Sequence, residues 1–367
     1  MGRLLTYPGF IDVHVHFRDP GVPEAETTAS GLDAACRGGF AAVVTMPNTT
    51  PPCDSPELIK YQRDAARAAG GDVVLLPSAC ITKGRAGREV ADLEALADAG
   101  AAFFTDDGSY VADDKVMEEA MRRAARLGMC VCQHAMDPKE VADGVIRDCA
   151  IAQKFHLPTI PVSAETKAIR RDLSLCRVTG CRLHVQHIST AEGVSLVREA
   201  QKEGLPVTAE ATPHHLAISC GEIPGDDANY KMAPPLGNDE DRAELRRAVK
   251  DGVLMFATDH APHPAHAKSR GFSHSANGII GLETAIPITW QCMVECEGMS
   301  PDAWAAAWWK MPRSILSPRA AKRLEGARQT VVEVGEWRVV DVAKFASLSR
   351  NCPYGGCEST CWPKAAF

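Results

Sequence analysis

His14 and His16 stand two residues apart at the end of an apolar run, "GFIDVHVHFRDPG", and Arg18 follows two residues later. Side chains two apart on a strand share a face, so both imidazoles and the guanidinium can point the same way. Related groups recur along the chain. Asp106 and Asp107 end "AAFFTDD", His134 lies in "MCVCQHA", His187 in "RLHVQHI", and Asp259 ends "VLMFATD". Each has an ordinary reading alone: a strand-end histidine is usually a satisfied polar residue, and Asp-Gly favours a turn. Together, His14, His16, His134, His187, Asp259 and one of the pair Asp106/Asp107 form a ligand set for divalent cations. Imidazole and carboxylate suit zinc, with manganese or cobalt able to substitute. Six ligands exceed the three plus water of one catalytic zinc. They suit two metals about 3.5–4 Å apart, whose chemistry is hydrolysis, or its reverse, at an amide-like carbon.

Positioning such residues requires a scaffold that gathers strand ends. Short β-rich runs occur at 8–17, 40–48, 72–81, 101–107, 129–135, 182–188, 206–213 and 253–259. Amphipathic stretches at 55–69, 114–127, 191–203 and 239–251 alternate with them and close on Gly70, Gly128, Gly204 and Gly252, the residue favoured just past a helix end. Eight strand–helix units predict a (β/α)8 TIM barrel, whose active site lies at the C-terminal ends of the strands. The rival open sheet needs a Gly-rich phosphate turn after its first strand, and "HVHFRDPG" is not one. Helices are expected at 282–297 and 301–316, and 328–342 alternates like a strand pair about a Gly turn. The expected division is a barrel over 8–320 and a short C-terminal appendage over 321–367. The loop 264–281, rich in small and polar residues, is expected to close over the site.

The chain carries a net charge of −7 with no Lys/Arg block, which argues against nucleic acid. No apolar stretch approaches the roughly 18 residues that span a bilayer. The N-terminus has no signal-peptide pattern, so a cytoplasmic location is expected. Most of the 14 cysteines lie in apolar segments. Cys352, Cys357 and Cys361 in the tail lack a fourth ligand for zinc and read as exposed, reduced thiols.

The motifs "DVHVHFRDPG", "MPNT", "FTDDG", "HVQHIST", "TAEATPHHL", "NYKMAPPL" and "ATDHAPH" followed by "GLET" resemble the bacterial type I dihydroorotases of the amidohydrolase superfamily, over about residues 8–320. The resemblance implies interconversion of N-carbamoyl-L-aspartate and L-dihydroorotate in pyrimidine biosynthesis, with two Zn2+ per chain. It implies His14 and His16 on the more buried metal, and Asp107 rather than Asp106 as the bridge that many relatives make with a carboxylated lysine. It places His134 and His187 on the second metal. Asp259 would bind the first metal and act as catalytic acid/base. Arg18, Asn48 and His263 would hold the substrate's free carboxylate.

Departures from the family pattern touch recognition. Ala233 stands where relatives carry an asparagine, and "SANGIIG" replaces a Pro-Phe-Gly loop. Asn277 and Gly278 are therefore expected at the substrate, with Asn277 restoring a polar contact that Ala233 has lost. His214 and His215 are expected to be structural, His184 to face the helices and His260 to point away from the metals. The relatives' β-sandwich is expected to be reduced or absent, because the chain begins at the barrel. A homodimer, or partnership with aspartate carbamoyltransferase, would then cover the exposed surface. Two other readings are an allantoinase- or hydantoinase-like cyclic amidase and a scaffold subunit of a transcarbamoylase assembly. Scaffold subunits of that kind lose metal histidines, which this chain keeps.

Overall fold

The computed structural model describes residues 2–364. Runs rich in Val, Ile, Phe and Cys become short strands because such side chains pack well on a pleated, buried surface. In chain order they are β1 (Arg3–Tyr7), β2 (Phe10–Val15), β3 (Phe40–Thr45), β4 (Val74–Pro77), β5 (Cys130–Gln133), β6 (Arg182–Val185), β7 (Val207–Ala211), β8 (Leu254–Phe256), β9 (Thr330–Val339) and β10 (Glu358–Pro363). β2–β3–β4 and β5–β6–β7–β8 form parallel sheets. Phe104 bridges Ala79 on one side and Val131 on the other, and a Val15–His260 bridge closes the ring. The result is the expected (β/α)8 barrel, its fourth position held by main-chain bonds of Ala102, Phe104 and Thr105 to Pro77, Cys130 and Ala79.

Helices Pro56–Ala69, Asp114–Arg126, Ala191–Lys202 and Asp239–Lys250 fall where the apolar periodicity placed them. Side chains of Asp113, Thr190 and Asn238 accept main-chain N–H groups at three of their starts, each cap contributing about 1 kcal/mol. Gly70, Gly128, Gly204 and Gly252 follow their ends at φ between 66 and 83°, backbone that disfavours other residues.

The barrel interior is filled by Ile11, Val13, Ala42, Val44, Leu76, Phe103, Cys130, Cys132 and Met255. Ile315, Leu316 and Leu324 join that cluster, and Ser317 bonds the carbonyls of Ala101 and Ala102. This plugs the end opposite the strand C-termini. Outside, Trp304 and Trp308 of helix Pro301–Ile315 pack on Phe10, Phe40 and Phe256.

The appendage differs in detail from the sequence expectation. Residues 328–342 do not make a strand pair. β9 is one strand, flanked antiparallel by β1 and β10 from opposite ends of the chain. Gly335, at φ 113°, lies one residue past Val334, where the β10 register shifts between Ser359 and Cys361; it serves a bulge rather than a hairpin. Nor are all the tail thiols exposed: Cys352 and Cys361 are buried and Cys357 is half-buried, all unpaired. Among the described residues, no helix is long and apolar enough to cross a membrane.

Candidate metal centre and active site

β2 delivers its histidines through an irregularity. Asp12 pairs with Val43 and Val15 with Thr45, so three residues of β2 advance against two of β3. Such a bulge re-aims side chains: Val13 stays in the interior cluster, and His14 also enters the lumen. Asp12 fastens the strand by accepting Thr258 N at 3.0 Å and the Thr258 hydroxyl at 2.5 Å, which sews β2 to the end of β8.

Six predicted side chains converge there. His14 Nε2 lies 3.3 Å from Asp107 Oδ1 and 3.4 Å from Asp259 Oδ1. His16 Nε2 lies 3.0 Å from Asp259 Oδ1 and 3.3 Å from Asp107 Oδ2. His134 Nδ1 and His187 Nε2 are 2.8 Å apart, at 3.7 and 3.6 Å from Asp107 Oδ1. Two sets of ligand atoms are close enough to hold a cation: His14, His16 and Asp259, and His14, Asp107 and His187.

The donor set fits divalent cations on two counts. His14 Nε2 and Asp107 Oδ1 are buried without a hydrogen-bond partner, a state costing about 1–3 kcal/mol per group unless something binds there. The outward ring nitrogens, by contrast, are anchored. His14 Nδ1 lies 2.5 Å from Glu210 Oε1 and His16 Nδ1 2.8 Å from Asn48 Oδ1. With those nitrogens donating, the neutral form of each ring would present its Nε2 lone pair to a cation, the tautomer that ligation requires.

The charges reinforce one another. Burial pushes the Asp107 carboxyl up, but the charge of His14 and the nearby His134 and His187 imidazoles outweigh it and hold it well below the usual range. Asp259 is likewise held low, by His14 and His16 against burial. Burial pulls His14 down, yet Asp107, Glu210 and Asp259 raise it well above its ordinary value. His16 and His134 remain lowered by burial.

Beside this centre opens a cavity of about 680 Å³ that includes Arg18, Asn48, His263, Asn277 and Gly278 in its lining. Arg18 Nη2 approaches His263 Nε2 at 3.4 Å. Burial, with Arg18 adding to it, lowers His263 to about 3, so its ring is neutral near pH 7. Its Nε2 lies 2.7 Å from the Asn277 carbonyl and donates to it. Gly278 sits at φ 125°, and a Cβ there would come within 2.6 Å of the Ala261 Cβ, so this wall closes only around a glycine.

A family model described as Dihydro-orotase-like matches residues 2–193. The dihydroorotase of Geobacillus sp. (strain WCH70) is 41% identical over 369 residues, covering 100% of this chain and 86% of its own length. That of Bacillus caldolyticus is 40% identical over 370 residues with the same coverage. The chain belongs to the dihydroorotase family. With two His/Asp triads in place, this member is an enzyme of the cyclic amidohydrolase class. Among solved structures, the L-hydantoinase (dihydropyrimidinase) from Arthrobacter aurescens superposes with a TM-score of 0.80 at 24% identity, over 99% of this chain and 83% of that one. The dihydropyrimidinase from Brevibacillus agri gives 0.75 at 20% identity, over 98% and 82%. At such identities the likeness is one of fold.

Within this family member the two adjacent aspartates face differently, and Asp107, which the resemblance favoured, is the one beside the histidines. Asp106 is consumed by Ile81 N at 2.8 Å, Thr82 N at 3.1 Å and the Thr82 hydroxyl, while Asp107 faces the imidazoles. His215 bonds Thr212 and the Pro234 carbonyl, and His260 turns to Glu26 and the Gly281 amide. His184 does not face the helices. Its Nε2 lies 2.9 Å from Glu210 Oε2, in the lumen. Counting alternation back from His187 failed because β6 ends at Val185 and His187 lies beyond it at φ 33°, where strand parity no longer holds.

Two residues went unnoticed in the sequence. Glu210 touches His14 Nδ1, His184 Nε2 and the His187 amide, the last at 3.2 Å; the available signal was one charge inside an apolar strand. Arg85 lines the cavity and donates to the Asp107 carbonyl at 2.8 Å and Ser109 Oγ at 2.9 Å. It lies in a glycine-flanked loop that carries no sequence pattern.

Proposed function

We propose that this chain is a two-cation dihydroorotase, catalysing the reversible cyclisation of N-carbamoyl-L-aspartate to L-dihydroorotate and water. The observation that carries this reading is the juxtaposition, in one cavity, of paired His/Asp ligand sets with the half-buried Arg18 guanidinium, Asn48 and His263. A cyclic amide bearing a carboxylate matches both halves. In this reading His14, His16 and Asp259 would hold one Zn2+, His134 and His187 would hold the other, and Asp107 would serve as a ligand common to both; Mn2+ or Co2+ could substitute. When bound, such cations acidify a water and polarise the amide carbonyl.

Arg18 pairs with the substrate carboxylate through two parallel hydrogen bonds. Asn48 has its carbonyl oxygen against His16, which leaves its amide hydrogens for substrate. Asp259 is the catalytic acid/base. Held ionised, it takes the proton of the attacking water and passes it to the ring nitrogen as the C–N bond breaks; cyclisation runs the same transfers backwards. Asn277 and Gly278 line the ring side together with Ala233, where Asn277 supplies the polar edge that alanine lacks. The proposal extends to a cytoplasmic homodimer, open to association with aspartate carbamoyltransferase. Exposed Leu4, Trp337 and Val339 on β1 and β9 support a subunit contact there.

The test is initial rate on zinc-loaded protein of known metal content, with L-dihydroorotate and with unsubstituted hydantoin. Turnover of dihydroorotate alone is expected. Turnover of hydantoin with none of dihydroorotate would overturn the reading.

A further inference from the structure

The wall that carries His263 and Gly278 is built from two loops that touch directly, through Ala261 N on the Ile279 carbonyl at 2.8 Å and His263 Nε2 on the Asn277 carbonyl at 2.7 Å. One runs from Ala261 to His263 after β8, and the other runs from Asn277 to Ile280. A residue from the tail stands between them. Asn351 is buried, and its side-chain Nδ2 donates to the Ala261 carbonyl and the Gly278 carbonyl, each at 3.0 Å. Its Oδ1 accepts the His263 amide at 3.2 Å. Its own carbonyl accepts Ile280 N at 3.0 Å. Both side-chain hydrogens and the side-chain oxygen of one asparagine are thus spent on the main chain around the carboxylate pocket.

The segment that presents Asn351 is itself anchored to the barrel. Ser347 Oγ donates to Glu26 Oε2 at 2.5 Å, Leu348 N to Glu26 Oε1 at 3.2 Å, and Ser349 Oγ to the Ala25 carbonyl at 2.7 Å. The Glu283 carboxylate accepts Ala346 N at 3.0 Å and Ser347 N at 3.3 Å. Residues 346–351 therefore form a strap with one end tied to the barrel wall and the other in the recognition loops.

We infer that Asn351 is a positioning residue for carboxylate recognition: together with the two direct loop–loop bonds it fixes the main chain of His263 against the Gly278 edge, and so the fit of the substrate's carboxylate beside Arg18. The inference rests on the dihydroorotase reading and adds a specificity determinant from outside the barrel. It touches no cation ligand, so its loss bears on substrate affinity and leaves the reacting centre intact.

Two variants test it. Asn351→Ala removes all three side-chain bonds. Asn351→Asp keeps the size and the acceptor for His263 N but sets a carboxylate oxygen against two carbonyls. In zinc-loaded full-length protein, each is expected to raise KM for L-dihydroorotate by about tenfold or more, with kcat within about threefold and zinc content unchanged. Hydrogen exchange at the His263 amide is expected to accelerate while amides of β5 to β8 keep their protection. Unchanged KM in both variants overturns the inference. So does a parallel loss of kcat, zinc content and folding, which assigns Asn351 to stability alone. A wild-type chain inert toward L-dihydroorotate overturns the functional reading instead.

Discussion

Removing the Glu210 carboxylate strips His14 Nδ1 of its 2.5 Å partner and frees that ring to turn or to change tautomer. Glu210→Ala is expected to weaken zinc binding by about 10–100-fold, read by competition with a chromophoric chelator; unchanged affinity would mean that packing alone orients His14. Arg18→Ala deletes a charge-assisted contact of about 1.5–3 kcal/mol. KM for L-dihydroorotate should rise by about one to two orders of magnitude, without loss of bound zinc. Equal loss of zinc would place Arg18 in the metal site instead. At this scale the sequence was legible wherever an unusual residue type ended an apolar run, as with His14, His16 and Asp259. It was silent where neighbours compete for the same role. Only Thr82 and the Ile81 amide distinguish Asp106 from Asp107, and both come from a different loop.

Loop 264–281 carries two single-turn helices, Ala265–Lys268 and Gly271–His274, and is held by two lysines. Lys268 Nζ donates to the carbonyls of Lys231, Ala276 and Gly278, and Lys231 Nζ to those of Ser273 and Ser275. Burial, with Lys231 adding to it, pulls Lys268 down to about 7. A lysine with a depressed folded-state pKa contributes stability above its unfolded value, near 10.4, and loses it as pH falls through the folded value. Wild-type Tm relative to Lys268→Met should therefore climb between about pH 7 and pH 10, by a few degrees. A flat difference across that range would show that Lys268 keeps an ordinary pKa. Trimming 266–276 to a short Gly-Ser link should lower turnover and spare zinc content, and equal loss of both would contradict a closing role. Elements were readable where periodicity and capping agree, as in Asp239–Lys250. They were misread where a strand ends early or bulges, because alternation then changes phase: His184 and the single strand β9 are the two cases.

The paired ligand sets draw on positions around most of the barrel, so cation binding stabilises the molecule as a whole. Chelation should lower Tm, and returning zinc at about 100 times its Kd should restore about 2.7 kcal/mol; calorimetry before and after would check it. An unchanged Tm would mean that the barrel closes fully without the ions. The barrel itself could be anticipated from eight alternating units. The strap at 346–351 could not, because the Ser347, Ser349 and Asn351 side chains meet partners 73 to 324 residues away, and no local pattern records such pairings.

His16 and Asp259 are 243 residues apart in sequence, and the Val15–His260 bridge is where the ring shuts. Bringing such distant segments together carries a large loop-closure entropy, and topology of this kind makes folding slow. The first ligand set comes into being only when the first and last barrel strands meet. During refolding, the visible absorbance of bound cobalt will therefore not precede the burial of Trp304 and Trp308. Once cobalt is saturating, its rate will be independent of cobalt concentration, and the centre becomes a clock for the closure of the barrel.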